Sequence, residues 1–148
     1  MSLLVVIDTN VVVSAMLNFR SVPGEVLRRA LMGDLIPVLR EEIVEEYRNV
    51  LRREKFCFDS GTVEAVLEGL ADVGLWVKEV PADVDMPDPD DRVFYEAAVA
   101  AREEGEAYLV TGNTRHFPTL PFVVTPRQML DIVLEADHSG TEDVQGAS

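Results

Sequence analysis

Acidic side chains follow the first apolar segment of the chain and recur in two later motifs. Asp8 comes directly after the continuous apolar run Leu3–Ile7, Glu46 lies in a helical segment, and three aspartates crowd residues 88–91. The chain has only two histidines and one cysteine. A site built from carboxylates alone favours Mg²⁺ or Mn²⁺ over zinc. Such ions catalyse the hydrolysis of phosphodiester bonds by activating water and offsetting charge.

Asp8 has two possible roles. Aspartate is a good helix cap, and a helix is expected to begin near Val11. Thr9 or Asn10 can provide that cap instead, which leaves the Asp8 carboxylate for a ligand. Acids at strand ends of parallel sheets often lie in the functional crevice. The residues around Asp8 leave both roles open.

Glu46 lies at the border of the apolar stripe of its helix. The stripe consists of Ile43, Tyr47, Val50 and Leu51. At about 100° per residue, Glu45 points nearly opposite this stripe and therefore to water. A carboxylate at the border can be drawn into a crevice, although a solvated acid near Arg53 is the plainer interpretation.

The aspartates at 88, 90 and 91 exceed what one helix cap requires. Asp88 fits the cap position and Pro89 the first helical position. Clustered carboxylates repel each other unless a divalent ion or protons neutralise them. A cation near this segment would therefore explain the surplus of acids.

A Thr-Gly-Asn turn follows the fourth predicted strand. Asn113 can offer a neutral oxygen ligand or orient a water, although Gly112 and Asn113 are also ordinary turn residues. Thr111 can bond a water or a phosphate oxygen. His116 is interpreted as a structural residue, or one at the edge of a substrate, because no serine or cysteine motif accompanies it.

Strand and helix patterns alternate along the chain without a repeat or a linker. The predicted strands are Leu3–Ile7, Leu35–Leu39, Leu75–Val80, Ala107–Thr111 and Phe122–Val124. The predicted helices begin near Val11 and cover Val22–Met32, Glu41–Lys55, Thr62–Val73, Pro89–Glu104 and Pro126–Ala136. This alternation predicts one α/β domain over residues 1–136 with a mostly parallel sheet of about five strands, then a disordered polar tail at 137–148.

The charge and composition limit the partners. A net charge of −14 over 148 residues repels nucleic acid as a whole, so contact with RNA needs local basic residues or bound cations. Scattered basic residues could provide a phosphate track: Arg48, Arg52, Arg53, Lys55, Arg92 and Arg115. No segment approaches the length of an apolar membrane span, and Cys57 has no internal disulfide partner. A cytoplasmic protein is expected.

Four short motifs together resemble the PIN-domain ribonucleases, in particular the toxins of prokaryotic toxin–antitoxin systems. They are Val-Val-Ile-Asp-Thr-Asn-Val at 5–11, Glu-Tyr-Arg-Asn-Val-Leu at 46–51, Asp-Pro-Asp-Asp-Arg-Val-Phe at 88–94 and Tyr-Leu-Val-Thr-Gly-Asn at 108–113. The resemblance runs from Leu3 to about Leu134. It implies a three-layer α/β/α sandwich, an RNA substrate, a homodimer and a small antitoxin partner.

The resemblance also implies an acidic metal site made of Asp8, Glu46 and Asp91. Many members carry a fourth acid after the Thr-Gly pair, where this chain has Asn113. That difference removes one charge and weakens a second metal site. The leading hypothesis is thus a Mg²⁺- or Mn²⁺-dependent endoribonuclease in which Thr111 and Asn113 position the attacking water.

Two other functions are weighed against this hypothesis. The first is a non-catalytic PIN-like module that acts through protein contacts, which the change to Asn113 makes plausible. The second is an aspartyl phosphotransferase with Asp8 as nucleophile. That chemistry usually needs a second aspartate two residues later or a lysine at a strand end. Asn10 stands at the first position, and Lys55 and Lys78, the lysines of the chain, lie elsewhere.

Overall fold

A computed structural model describes the backbone of residues 2–78 and 89–147, and the side chains of residues 2–78 and 91–137. The strands are β1 (Leu3–Ile7), β2 (Leu35–Leu39), β3 (Leu75–Trp76), β4 (Ala107–Val110) and β5 (Val123–Val124). The α-helices are α1 (Thr9–Leu17), α2 (Val22–Met32), α3 (Glu41–Leu51), α4 (Ser60–Val73), α5 (Pro89–Arg102) and α6 (Pro126–Ala147). Short 3₁₀ turns cover Glu54–Phe56 and Thr114–His116.

The described strands form one five-stranded sheet in the order β3-β2-β1-β4-β5. Every neighbouring pair in that order is parallel. The carboxyl ends of the strands therefore share one edge of the sheet, and β1 and β4 lie side by side at its centre. The predicted α/β class with a parallel five-stranded sheet is confirmed.

Helices cover both faces of this sheet. Helix α2 packs against β2 and against α1, α4 and α6, whereas α5 packs against β1, β2 and β4. All five residues of β1 are buried, as expected for a central parallel strand. The result is the three-layer α/β/α sandwich, in which the central strands are buried between the helices.

Several element ends differ from the predicted ones for local reasons. Helix α3 ends at Leu51 instead of Lys55, because the chain turns through the 3₁₀ segment and Cys57 has a positive φ of 53°. Strand β3 covers Leu75–Trp76 and is shorter than the predicted Leu75–Val80, of which residues 79–80 lie outside the described residues.

The helices at the two ends of the chain also extend past their predicted bounds. Helix α1 begins at Thr9, directly after Asp8. Helix α6 continues to Ala147, beyond Ala136, and the division of the chain at residue 136 stays a prediction. In the part of the chain that the structure describes, no helix combines the length and the apolarity that crossing a membrane requires.

Candidate acidic site

Asp8 lies at the carboxyl end of β1, where the chain turns into α1. Its backbone N–H donates to the Val110 carbonyl of β4, and its own carbonyl accepts from Val11. Asp8 therefore holds the cap position of α1, but its side chain makes no capping hydrogen bond. The carboxylate instead faces the end of β4. The backbone carbonyl of Asp8 thus accepts the first hydrogen bond of the helix, and the side-chain carboxylate remains available to the candidate site.

Thr111 is the residue that the Asp8 carboxylate meets. Parallel pairing of Ile7 with Val110 sets Asp8 beside Thr111. The Thr111 hydroxyl donates to Asp8 Oδ2 over 2.8 Å and accepts from the Asn113 N–H over 3.0 Å. Thr111 is completely buried. Its hydroxyl thus orients the Asp8 carboxylate and also links that carboxylate to the turn at Asn113.

The environment of Asp8 opposes its ionisation. Asp8 is 7% exposed, and this burial raises the pKa of its carboxyl above the ordinary value. The hydrogen bond from Thr111, the N–H of Thr9 and the nearby His116 lower the pKa and offset part of that rise. A buried carboxylate of this kind is typical of functional sites. A bound cation can offset the free energy that is lost when the charged group is buried.

Tyr47 attaches helix α3 to the end of β1. Its hydroxyl donates to the backbone carbonyl of Ile7, the residue before Asp8. The ring is buried and lies 6.2 Å from the ring of Phe94, centroid to centroid. The sequence predicts Tyr47 only as a member of the apolar stripe. The sequence does contain an indication of the second role, because Tyr47 adds a polar hydroxyl to an otherwise apolar stripe and directly follows Glu46. A buried hydroxyl usually has a hydrogen-bond partner.

Replacing Tyr47 with phenylalanine is expected to lower the free energy of unfolding by about 1 kcal/mol, because it removes one buried hydrogen bond but keeps the ring. Urea denaturation measures this change. Tyr108→Phe is the matched control, since the Tyr108 hydroxyl bonds the exposed Glu106 carboxylate. Equal losses in the two variants would contradict a specific link between α3 and β1.

The predicted acids line one cleft, which we call the acidic cleft. Its volume is about 200 Å³, and its lining consists of Asp8, Thr9, Asn10, Glu46, Val50, Arg53, Asp91, Phe94 and His116. Glu46 is partly exposed and faces this cleft, whereas Glu45 is exposed and lines a different groove. The fold thereby brings together side chains that lie 38 and 45 residues apart in sequence.

Asp91 enters the acidic cleft from the first turn of α5. Pro89 begins that helix, as the sequence predicts. The predicted cap Asp88 and the side chain of Asp90 lie outside the described residues. Of the three aspartates in this motif, Asp91 is therefore the one that the structure connects to Asp8 and Glu46.

His116 lines the acidic cleft, although the sequence predicts mainly a structural role for it. Its Nδ1 lies 3.6 Å from Asp91 Oδ2, and its Nε2 lies 2.9 Å from the amide nitrogen of Asn113. With the Asn113 amide donating to Nε2, the ring proton resides on Nδ1 and faces Asp91. Asn113 itself does not line the cleft and reaches it through this histidine.

Of the six basic residues that the sequence offers for a phosphate track, two pair with an acid away from the acidic cleft and one lines it. Arg48 and Arg52 form salt bridges with Glu64, so their charge is used between α3 and α4. Arg53 lines the acidic cleft. A guanidinium beside the carboxylates can bind a phosphate group that enters the cleft.

The oxygen-rich lining fits a divalent cation of the Mg²⁺ or Mn²⁺ type. The Thr9 hydroxyl supports a polar ligand there, because it is buried beside Asp8 without a hydrogen-bond partner among the described residues. Within the same residues, no three acidic, histidine or cysteine side chains are already grouped closely enough to hold an ion. Binding would thus draw the partly exposed Glu46 and Asp91 toward Asp8.

Comparison with known proteins identifies the family of the chain. A family model described as PIN domain matches residues 4–115, most of the chain. The chain belongs to the PIN-domain family, whose members are typically nucleases and generally use divalent metals. No curated protein and no solved structure matches it.

Proposed function

We propose that this chain is a Mg²⁺- or Mn²⁺-dependent endoribonuclease that hydrolyses phosphodiester bonds of RNA. The observation that carries the proposal is the Asp8 carboxylate, which is buried at a strand end, oriented by Thr111 and turned away from the helix cap. Glu46 and Asp91 share its cleft. A structural role would not require three acids from three separate elements to face one cavity.

Asp8, Glu46 and Asp91 are the residues that would hold the ion. When bound, such an ion activates water and offsets negative charge on the phosphate. Thr111 keeps Asp8 in one orientation through its 2.8 Å hydrogen bond. His116 and Asn113 hold the Asp91 side of the cleft, from where we propose that they help to position the attacking water. Arg53 faces the incoming phosphate.

Metal addition tests this proposal with two readouts. In Mn²⁺ at about 100 times its dissociation constant, the free energy of unfolding is expected to rise by about 2.7 kcal/mol, because the ion binds only the folded state. Cleavage of single-stranded RNA is expected to begin with Mn²⁺ and to stop with EDTA. Chemical denaturation and gel electrophoresis of labelled RNA measure the two effects.

The outcomes separate the competing functions. Stabilisation by Mn²⁺ together with cleavage supports the nuclease. Calorimetry that detects no Mn²⁺ binding at any concentration would favour a PIN-like module acting through protein contacts. A stable phosphate adduct on Asp8 would instead identify a phosphotransferase.

On the resemblance alone, we further propose that the chain is the toxin of a toxin–antitoxin pair, that it forms a homodimer and that it acts in the cytoplasm. The net charge of −14 suits a basic protein partner. The neighbouring reading frame is the direct test. A gene there for a small basic DNA-binding protein would support the pair, and an unrelated gene would count against it.

A further inference from the structure

A second cleft lies on the other side of the 3₁₀ turn from the acidic cleft. We call it the donor cleft. Its volume is about 250 Å³, and its polar lining consists of Thr114, Arg115, Thr119, Thr125 and Gln128. Within the turn, His116 lines the acidic cleft, whereas Thr114 and Arg115 line the donor cleft. Residues of this one turn therefore contribute to the walls of both clefts.

The donor cleft contrasts with the rest of the molecule in charge. The chain carries 27 acidic residues, yet none of those in the described part of the chain lines this cleft. Arg115 is exposed there and forms no salt bridge with the residues that the structure describes. The local charge is thus positive in a protein that is strongly negative overall, which suits an anionic ligand.

The hydrogen bonds at the edge of the cleft involve two of its lining residues and occupy their acceptor atoms. The Thr125 hydroxyl accepts from the Gln128 N–H, and the Gln128 side-chain oxygen accepts from the Thr125 N–H. These two bonds use acceptor atoms. The groups that remain for a ligand are the hydroxyl hydrogen of Thr125 and the amide NH₂ of Gln128. Together with the guanidinium of Arg115, they match the oxygens of a phosphate.

The size of the donor cleft indicates what part of a ligand it takes. A volume of about 250 Å³ is below the roughly 300–1,000 Å³ that is usual for complete small-molecule sites. It therefore suits one segment of a longer molecule. A strand that enters the acidic cleft would meet the donor cleft immediately past the 3₁₀ turn.

We propose that the donor cleft binds the sugar–phosphate backbone of the RNA on one side of the bond to be cleaved. This inference rests on the proposed nuclease function and adds a substrate subsite to it. It predicts that affinity depends on RNA length on that side, because a short RNA fills only the acidic cleft. Backbone contacts of this type carry affinity and register rather than base specificity.

The test uses RNAs that are lengthened one nucleotide at a time from either end. For the wild-type enzyme in Mn²⁺, KM is expected to fall by about tenfold once one of the ends reaches the donor cleft, with kcat unchanged. Arg115→Gln is expected to remove this step and leave the shortest RNA unaffected. A plot of log KM against log salt concentration is expected to have a slope smaller by about 1 for Arg115→Gln on long RNA, because one phosphate contact is lost.

Lys78→Gln is the matched control, because it removes the same charge at the β3 edge, four strand spacings or roughly 19 Å from β5. Equal effects of the two variants, or a loss of kcat instead of a rise in KM for Arg115→Gln, would overturn the subsite. Absence of cleavage at every length would contradict the proposed nuclease function alone. Fluorescence anisotropy with the same labelled RNAs and variants then decides whether the donor cleft binds RNA.

Discussion

Asp8→Asn is expected to lower the rate of RNA hydrolysis by more than about 100-fold without reducing the stability of the metal-free protein. Loss of a residue that only supports a metal ligand typically costs about 10–100-fold in affinity or activity, and Asp8 is itself the proposed ligand. Asparagine keeps the shape of the side chain and offers an oxygen that accepts from Thr111. The geometry around Thr111 is thereby preserved while the charge is lost.

The stability part of this prediction follows from the raised pKa of Asp8. A carboxyl whose pKa is higher in the folded state stabilises the fold below its ordinary pKa, and this contribution is lost as the pH rises through the raised value. Above that raised pKa the ionised carboxylate costs free energy, because burial opposes its charge. The Tm of Asp8→Asn without metal is expected to equal or exceed that of the wild type, and the difference is expected to shrink in acid.

Steady-state cleavage assays and thermal unfolding measure the two effects. Asp72→Asn is the control, because Asp72 is exposed on α4 and does not line the acidic cleft. It is expected to change neither property. Cleavage by Asp8→Asn at the wild-type rate would remove Asp8 from the site. A lower Tm with unchanged activity would assign it a structural role only.

Thr111→Val is expected to weaken Mn²⁺ binding and RNA cleavage by about 10–100-fold. Valine has a similar size but lacks the hydroxyl that donates to Asp8 and accepts from the Asn113 N–H. Asp8 then loses the group that orients it, as happens when the outer partner of a metal ligand is removed. The free energy of unfolding is also expected to fall by about 1–3 kcal/mol, because the Asn113 N–H loses its acceptor.

Thr111→Ser distinguishes this orienting role from simple packing. Serine keeps the hydroxyl and loses only a methyl group, so it is expected to recover most of the metal affinity and activity. Isothermal titration with Mn²⁺ and steady-state kinetics provide the readouts. If serine and valine were equally impaired, the methyl group would be the important part of Thr111, and the hydrogen bond to Asp8 would carry no function.

Periodicity and strand-end position were enough to predict the fold class and the place of Asp8 at the end of a buried strand. The buried run of β1, the alternation of strands with helices and the Asp8 position after β1 follow from local patterns that survive folding. Glu46 and Glu45 illustrate the same point. Helical phase distinguished a carboxylate that faces the cleft from one that faces solvent, because the phase of a helix depends only on residue spacing.

The contacts between elements were decided by the tertiary structure. The Asp8 side chain either caps α1 or faces the site, and the parallel register that sets it beside Thr111 selects the site. The Tyr47 bond to Ile7, the position of His116 between Asn113 and Asp91, and the donor cleft around Arg115 have the same origin. Each joins residues whose distance depends on strand order. For Asp8, the sequence alone thus determined its chemistry and its place at a strand end. Packing determined which groups orient it, because hydrogen bonds between elements depend on three-dimensional distance and not on sequence spacing.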